Sequence, residues 1–321
     1  MIISKTPVRV PMVGGGTDII KYCEKYGGAT ISAAINKYIY IAVVTNFEQK
    51  ISLNYLGQIE NVFKIKDIKN NLISEAIKLV GLEKEFLQIY AISEIPHGTG
   101  LGSSGAFTVG LLNTLHFYKG EKLPPQTLAE EAAYLEINKL GALIGKQDQT
   151  ICAVGGLKFI EYKKGLPKVK DIKIDQDLLK QLESNLLLVS TGLNRDANKS
   201  MISIDKNMSS AIPILHLIKE NAYELKELLE KGQIEFTGYK MQTKQVYKEL
   251  LSDSFVHPKT VAMLKKANSY GVFGKITGAG VGGFMHVYCP PEKQKQFREA
   301  FKNHEIMDFK FDFTGTTASE I

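Results

Sequence analysis

Pro96-His97-Gly98-Thr99-Gly100-Leu101-Gly102-Ser103-Ser104-Gly105-Ala106 is the stretch on which the reading of this chain turns. It separates a strand-like run, Phe86 to Ser93, from Ser103 to Tyr118, a segment apolar almost all round, as a buried helix is. Glycines at alternate positions let backbone N–H groups close on a bulky anion. The free amides and partial positive charge of the following helix N-terminus strengthen that grip. The stretch therefore predicts a phosphate-holding loop. A flexible connection with Ser103 as a plain N-cap is the weaker reading, because a linker rarely places so many glycines directly against a buried helix. A Walker A loop needs Gly-Lys-[Ser/Thr], and no lysine follows until Lys119. Gly100, Gly102 and Gly105 satisfy G-x-G-x-x-G, as do Gly278, Gly280 and Gly283. A dinucleotide site also requires a following strand that ends in an acidic residue, about 20 residues on. Lys122-Leu-Pro-Pro stands there after Gly105, and no helix opens after Gly283, so a nicotinamide enzyme is disfavoured.

Two carboxylates downstream draw attention. In the helical stretch Leu128 to Leu140, Ala129, Ala132, Ala133 and Leu140 form one stripe, and Glu136 falls on it. A carboxylate on an apolar stripe is expensive to bury unless paired or bound to metal, whereas a rim position would leave its head in solvent. Gly145-Lys146-Gln147-Asp148-Gln149 follows. Asp148 could serve as a general base with Lys146 holding its charge or a substrate anion; a turn or cap role is the plainer alternative. Arginine is scarce: Arg9, Arg195 and Arg298 stand against thirty-seven lysines. Arg9 and Arg195 lie beside loop signals, where a planar fork grips phosphate or carboxylate better than a point charge does. Arg298 reads as a solvated helix face.

The 321 residues suggest two domains, and 44% apolar with 23% charged residues is ordinary globular usage. No stretch approaches about 18 uninterrupted apolar residues, and the first residues carry no signal-peptide pattern. A soluble cytoplasmic chain without a membrane partner is expected. Cys23, Cys152 and Cys289 form no C-x-x-C pair, hence no zinc set and no disulfide framework. The net charge of +6 is scattered lysine, which favours small anionic ligands over nucleic acid. Strands are expected at 6–13, 29–34, 38–45, 50–55, 61–65, 86–93, 157–162, 168–174, 186–190, 272–277, 284–289 and 307–313. Besides the two helices already named, helices are expected at 19–26, 71–80, 212–231, 234–251, 259–270 and 292–303. The irregular alternation predicts an α+β architecture, divided near residue 170 into domains 1–170 and 171–321.

Together these segments resemble the GHMP family of small-molecule kinases. The loop Pro96 to Ala106 resembles that family's second motif, Arg9-Val-Pro-Met-Val-Gly-Gly-Gly-Thr-Asp18 its N-terminal motif, and Lys275-Ile-Thr-Gly-Ala-Gly-Val-Gly-Gly-Phe284 its C-terminal glycine loop. The resemblance implies an N-terminal domain like the second domain of ribosomal protein S5, joined to a ferredoxin-like C-terminal domain. ATP and acceptor would meet between the two. It assigns the ATP phosphates to Pro96, Gly98, Gly100, Leu101, Gly102, Ser103, Ser104 and Gly105, and Mg²⁺ to Ser104 and Glu136. Asp148 would be the catalytic base, with Arg9 stabilising charge near the acceptor hydroxyl. Acceptor contacts would come from Gly15, Gly16, Thr17, Asp18, Lys146, Arg195, Gly278 and Gly280. Within the family, Gly14 to Asp18, Ala34 to Tyr40, Gly145 to Gln149 and Thr191-Gly-Leu-Asn-Arg195 are most similar to the D-glycero-D-manno-heptose 7-phosphate kinases. Those enzymes phosphorylate an anomeric hydroxyl of a sugar phosphate, and Arg195 would grip the phosphate already present. A fucose- or galactose-type sugar 1-kinase, a mevalonate-type kinase and a non-catalytic sugar sensor are the rivals. The sequence departs from the family at Gly105, where serine or alanine is more usual, and at Thr150-Ile-Cys-Ala-Val; neither is expected to touch a catalytic position. Oligomeric state is not legible.

Overall fold

The structure, a computed structural model, describes residues 1–96, 98–193, 208–278 and 282–321. Two long antiparallel strands organise its first half, β1 (Ile2–Val13) and β2 (Gly28–Thr45). The two runs expected at 29–34 and 38–45 are thus one strand. Its register with β1 jumps between Pro7, paired with Tyr38, and Val8, paired with Ile35, and such a bulge bends a strand. The two halves of β2 consequently take different partners. Ile39–Thr45 pairs with β5 (Leu87–Ser93), which continues through β3 (Ile51–Tyr55) to β4 (Gln58–Val62). Gly28–Ala33 pairs with β6 (Leu157–Tyr162), followed by β7 (Lys168–Asp171).

Helices α1 (Ile20–Tyr26), α2 (Asn71–Val80), α3 (Ser103–Tyr118), α4 (Pro125–Ala133) and α5 (Gln147–Val154) accompany this sheet. The buried helix α3 lies across β1 and β2. The expected helix 128–140 starts three residues earlier, with Pro125 at the first position, where its missing N–H is no loss. After Ala133 it widens into one π-turn, Tyr134–Lys139. Helix α5 was not expected; its eight residues are too few to display a period.

The second half contains α6 (Gln176–Ser184), β8 (Leu186–Ser190), α7 (Met208–Glu230), α8 (Thr237–Leu251), α9 (Pro258–Ser269), β9 (Phe273–Ile276), β10 (Phe284–Tyr288), α10 (Pro291–Ala300) and β11 (Ile306–Met307). Its sheet is antiparallel with order β11-β8-β10-β9. The strand expected at 307–313 is confined to its first residue. Beyond Met307 the chain crosses to the first sheet, where Phe311 bridges Ile35 and Asp312 N donates to Ala34 O at 2.9 Å. Phe309 and Phe311 are buried and Lys310 exposed, so the alternation was real but served two sheets. The unexpected β12 (Thr317–Glu320) then pairs with β1 and returns the chain end to the first sheet.

One hydrophobic cluster runs through both halves, joining Val8, Leu112 and Phe159 to Leu188 and Phe284. A second fills the outer face of the smaller sheet around Ile276, Met285 and Phe297, and a third joins α1 to α7 through Tyr22, Leu215 and Phe255. The sheets are therefore packed together, and the loops at their junction have fixed relative positions.

Candidate active site

Gly98, Gly100 and Gly102 all have positive φ, at 81°, 77° and 76°. Gly102 is the N-cap of α3, so the loop ends on that helix's free amides. The Ser103 hydroxyl is buried with no hydrogen-bond partner among the described residues, an orphan that a phosphate oxygen would satisfy. Ser104 is exposed at the loop's mouth, as is Pro96; Leu101 is buried. An open groove beside α3 is lined by Ile39, Leu72, Ile92, Ile95, Ser104 and Phe107. His97 lies outside the described residues.

Arg9 is the pivot of the site. It is 3% exposed, and its Nε and Nη2 donate to Asp148 Oδ1 and Oδ2 at 2.8 and 2.7 Å. Its Nη1 donates to Gly100 O at 2.6 Å, and its backbone N–H to Leu101 O at 2.9 Å. A bidentate fork of this kind fixes both the charge and the orientation of the carboxylate. Asp148, in the first turn of α5, is thereby held against the glycine loop. Gly105 packs on it from the other side: a Cβ there would stand 2.9 Å from Asp148 Cβ and 3.1 Å from Gln149 N. The expectation that Gly105 touches no catalytic position is therefore corrected. The residue is glycine because α3 and the Asp148 backbone meet there without room for a side chain.

Glu136 lies in the π-turn and is 4% exposed, which removes the rim reading. Ala129, Ala132 and Ala133 share its burial, but Leu140 does not, since the wider turn rotates it off the stripe. Ser104 Oγ donates to Glu136 Oε2 at 3.1 Å, and Gln149 Nε2 to Oε1 at 2.9 Å. Burial raises the Glu136 pKa; the hydrogen bonds from Gln149, Thr108 and Ser104 oppose this, and nearby Asp148 adds to it. The sequence reading had quoted Gln149 without giving it a role; its place one residue after Asp148 was the available signal.

The N-terminal loop closes against the same wall. Asp18 is 2% exposed and accepts from Gly16 N at 2.9 Å and Gln147 N at 3.0 Å, joining residues 14–18 to 145–149. Burial raises its pKa, against the opposing backbone hydrogen bonds. The Thr17 hydroxyl turns inward to Gly14 O and Ala29 O, while Gly15 and Gly16 are half-buried at the cleft. Lys146, read as holding Asp148's charge or a substrate anion, is ion-paired with Glu130 at 3.2 Å; Asp148's partner is Arg9. Arg195 and Gly280 lie outside the described residues.

From the smaller domain, Gly278 O accepts from Lys248 Nζ at 2.5 Å, and Thr277 Oγ1 donates to Thr99 O at 3.1 Å. Gly283, at φ +86°, lies so close to the Thr99 carbonyl that any side chain would overlap it. The first and last glycine loops thus touch. Two buried cations went unnoticed in the sequence: Lys244 on α8 and Lys275 on β9, 4% and 5% exposed. Burial pushes the Lys244 pKa down to about 8 against the pull of Asp18, and burial with the charges of Lys244 and Arg9 holds the Lys275 pKa well below the ordinary lysine value. His286, cross-strand from Lys275, is fully buried, and its pKa is pushed down to about 3. Lysine abundance hid both lysines; only the packed face of α8, with Gln245 Oε1 accepting from Ile276 N at 3.0 Å, gives their setting away.

Residues 71–156 match the family described as GHMP kinases N terminal domain. That segment holds the glycine loop, Glu136 and Asp148, so this wall of the cleft lies within a GHMP kinase N-terminal domain. The chain is 27% identical to a D-glycero-alpha-D-manno-heptose 7-phosphate kinase of Campylobacter jejuni, over all of this chain and 99% of that one. It is 26% identical to a mevalonate kinase of Thermococcus sibiricus, over 94% of this chain and 92% of that one. In fold it is similar to a D-glycero-D-manno-heptose 1-phosphate kinase from Bacteriodes thetaiotaomicron, with a TM-score of 0.81, 24% identity, and coverage of 100% of this chain and 99% of that one.

Proposed function

We propose that the chain transfers the γ-phosphoryl group of ATP to the anomeric hydroxyl of D-glycero-D-manno-heptose 7-phosphate, giving the 1,7-bisphosphate. The observation that carries the chemistry is the Arg9 fork on Asp148 beside the glycine loop. Phosphoryl transfer asks little covalent work of a protein; it asks for alignment and for neutralised charge. Asp148 aligns the acceptor hydroxyl and accepts its proton, and Arg9 keeps that carboxylate aimed while contributing positive charge. Residues 98–105 and the α3 N-terminus hold the triphosphate, with the adenine in the groove lined by Ile95 and Phe107.

Ser104 Oγ and the Glu136 carboxylate are hard oxygen donors 3.1 Å apart at the loop's mouth, a set that suits Mg²⁺ completed by phosphate oxygens and water. Held there, Mg²⁺ would supply charge neutralisation for the transferring phosphoryl group. The heptose reading is supported by the full-length similarity to the Campylobacter jejuni enzyme. In this reading residues 1–170 carry ATP and 171–321 close over the acceptor, Gly15, Gly16, Asp18, Gly278 and Arg195 among its contacts. No helix among the described residues is long and apolar enough to cross a membrane, and dependence on ATP suits a cytoplasmic enzyme.

A mevalonate-type acceptor is the rival, favoured by the 26% identity to the Thermococcus sibiricus enzyme. A panel of heptose, heptose 7-phosphate, heptose 1-phosphate, fucose, galactose and mevalonate with ATP and Mg²⁺ separates them by phosphorus NMR of the product. A new anomeric phosphate on heptose 7-phosphate is expected; turnover of mevalonate alone would overturn the proposal.

A further inference from the structure

Charges buried at the junction of the two domains are unequally matched. On the N-terminal side each has a partner: Arg9 has Asp148, Glu136 has Ser104 and Gln149, and Asp18 has two backbone N–H groups. On the C-terminal side, Lys244 and Lys275 are 4% and 5% exposed, and neither forms an ion pair among the described residues. Their neighbour Lys248 is engaged with the Gly278 carbonyl, so the helix does satisfy a lysine when it uses one structurally.

The two lysines sit on elements that pack against each other, Lys244 on α8 and Lys275 on β9. Asp18 lies close enough to Lys244 to raise its pKa against the effect of burial, and Lys244 and Arg9 lie close enough to Lys275 to lower its pKa further. His286, opposite Lys275 on β10, is neutral and brings no counter-charge; its ring nitrogens lack a hydrogen-bond partner among the described residues. Charging two lysine side chains in so buried a setting without an anion is unfavourable, which is why burial lowers the pKa of both. That arrangement is sensible where an anion arrives with the ligand.

We infer that Lys244 and Lys275 form the pocket for the phosphate that the acceptor already carries, holding it on the C-terminal wall of the cleft while Asp148 receives the hydroxyl at the other end. The inference rests on the proposed sugar-phosphate acceptor and supplies what that reading lacks, a built anion site among the described residues. A bound phosphate dianion favours the protonated form of both lysines, and its peripheral oxygens can then accept from both ammonium groups at once. Lys244 lies near Asp18 of the N-terminal acceptor loop, and Lys275 near Arg9, whose fork holds Asp148. The pair also gives the acceptor two anchors, which orients the hydroxyl between them.

The test uses Lys244→Met and Lys275→Met, with Lys244→Arg as the charge-conserving control and glutamine in place of methionine should a variant fail to fold. Steady-state kinetics with heptose 7-phosphate and unphosphorylated heptose give the preference for the phosphorylated sugar as a ratio of kcat/KM values. Each methionine variant is expected to lower that ratio roughly tenfold to a hundredfold, mainly through KM for the 7-phosphate, with Lys244→Arg recovering part. Thermal melting is run alongside, with the glycine loop blocked by Mg²⁺ and a non-hydrolysable ATP analogue. Inorganic phosphate should raise the melting temperature of wild type and not of either variant, and the ligand-free variants should melt no lower than wild type. Equal loss on both sugars, or a loss expressed in KM for ATP, would assign the lysines to the fold or to the nucleotide and overturn the inference. Wild-type turnover of heptose 7-phosphate with an unchanged ratio in the variants overturns this inference alone. A wild type that accepts no phosphorylated acceptor overturns it together with the acceptor reading.

Discussion

The two walls of the cleft treat charge in opposite ways. On the N-terminal wall, Arg9, Asp148, Glu136 and Asp18 are tied into one lattice of hydrogen bonds that also fixes the glycine loop through Gly100 and Leu101. On the C-terminal wall, Lys244, Lys275 and His286 are just as buried and form no ion pair among the described residues. The first wall is organised before any ligand arrives, as a site for in-line transfer must be. The second holds two buried lysines whose charged form is unfavourable without an anion, and in the proposal this is what discriminates among ligands by whether they bring one. Reactivity and selectivity are thus assigned to different domains.

The largest expected effect lies on the N-terminal wall. Asp148→Asn keeps the shape but removes the carboxylate, and turnover should fall by roughly 10² to 10⁴ while ATP affinity stays near wild type, as read by single-turnover kinetics and nucleotide titration. Near-normal turnover would take Asp148 out of the reaction and dissolve the contrast between the walls. Gly105→Ala forces a Cβ against Asp148 from 2.9 Å, so it should lower kcat by about one to two orders of magnitude by displacing that carboxylate. A variant with full kcat would show that the close approach does not set the position of Asp148.

Arg9→Ala leaves Asp148 without its fork and should reduce folding stability by about 3 to 5 kcal/mol, measured by denaturant titration. Smaller still is the pH effect of Glu136. Its folded pKa is raised by burial, so between the unfolded carboxylate value of about 4.3 and that raised value the native state binds the extra proton. Ligand-free stability should therefore fall as pH rises through that window and level off above it. Glu136→Gln should flatten that slope and, by removing an anionic oxygen donor, raise the Mg²⁺ concentration needed for half-maximal rate. An unchanged Mg²⁺ requirement would move the ion elsewhere.

What the sequence disclosed follows the same division. The glycine loop, Arg9 and the Glu136 stripe stand out because each violates a composition rule in a short window: clustered glycine, rare arginine, or a carboxylate among alanines; Asp148 alone reads as a turn or cap and stands out only through the family resemblance. The α+β class and most elements were legible from apolar period. The strand expected at 307–313 failed because alternate burial of Phe309 and Phe311 is shared between two sheets. The short helix α5 showed too little period, and β12 is held by backbone pairing with β1 rather than by an apolar face. Lys244 and Lys275 were illegible for another reason. In a chain with thirty-seven lysines a buried one carries no local mark, and only tertiary packing distinguishes it from the solvated majority. Lys146, which did look special beside Asp148, proves to be paired with Glu130.

The most direct measurement of the division between the walls is the pair of kcat/KM values for heptose 7-phosphate and unphosphorylated heptose, taken for wild type, Asp148→Asn and Lys275→Met under identical Mg²⁺ and ATP. The account predicts that Asp148→Asn lowers both values together, leaving their ratio intact, whereas Lys275→Met collapses the ratio. If Asp148→Asn changes the ratio and Lys275→Met lowers both values equally, the assignment of reactivity to one wall and selectivity to the other is contradicted.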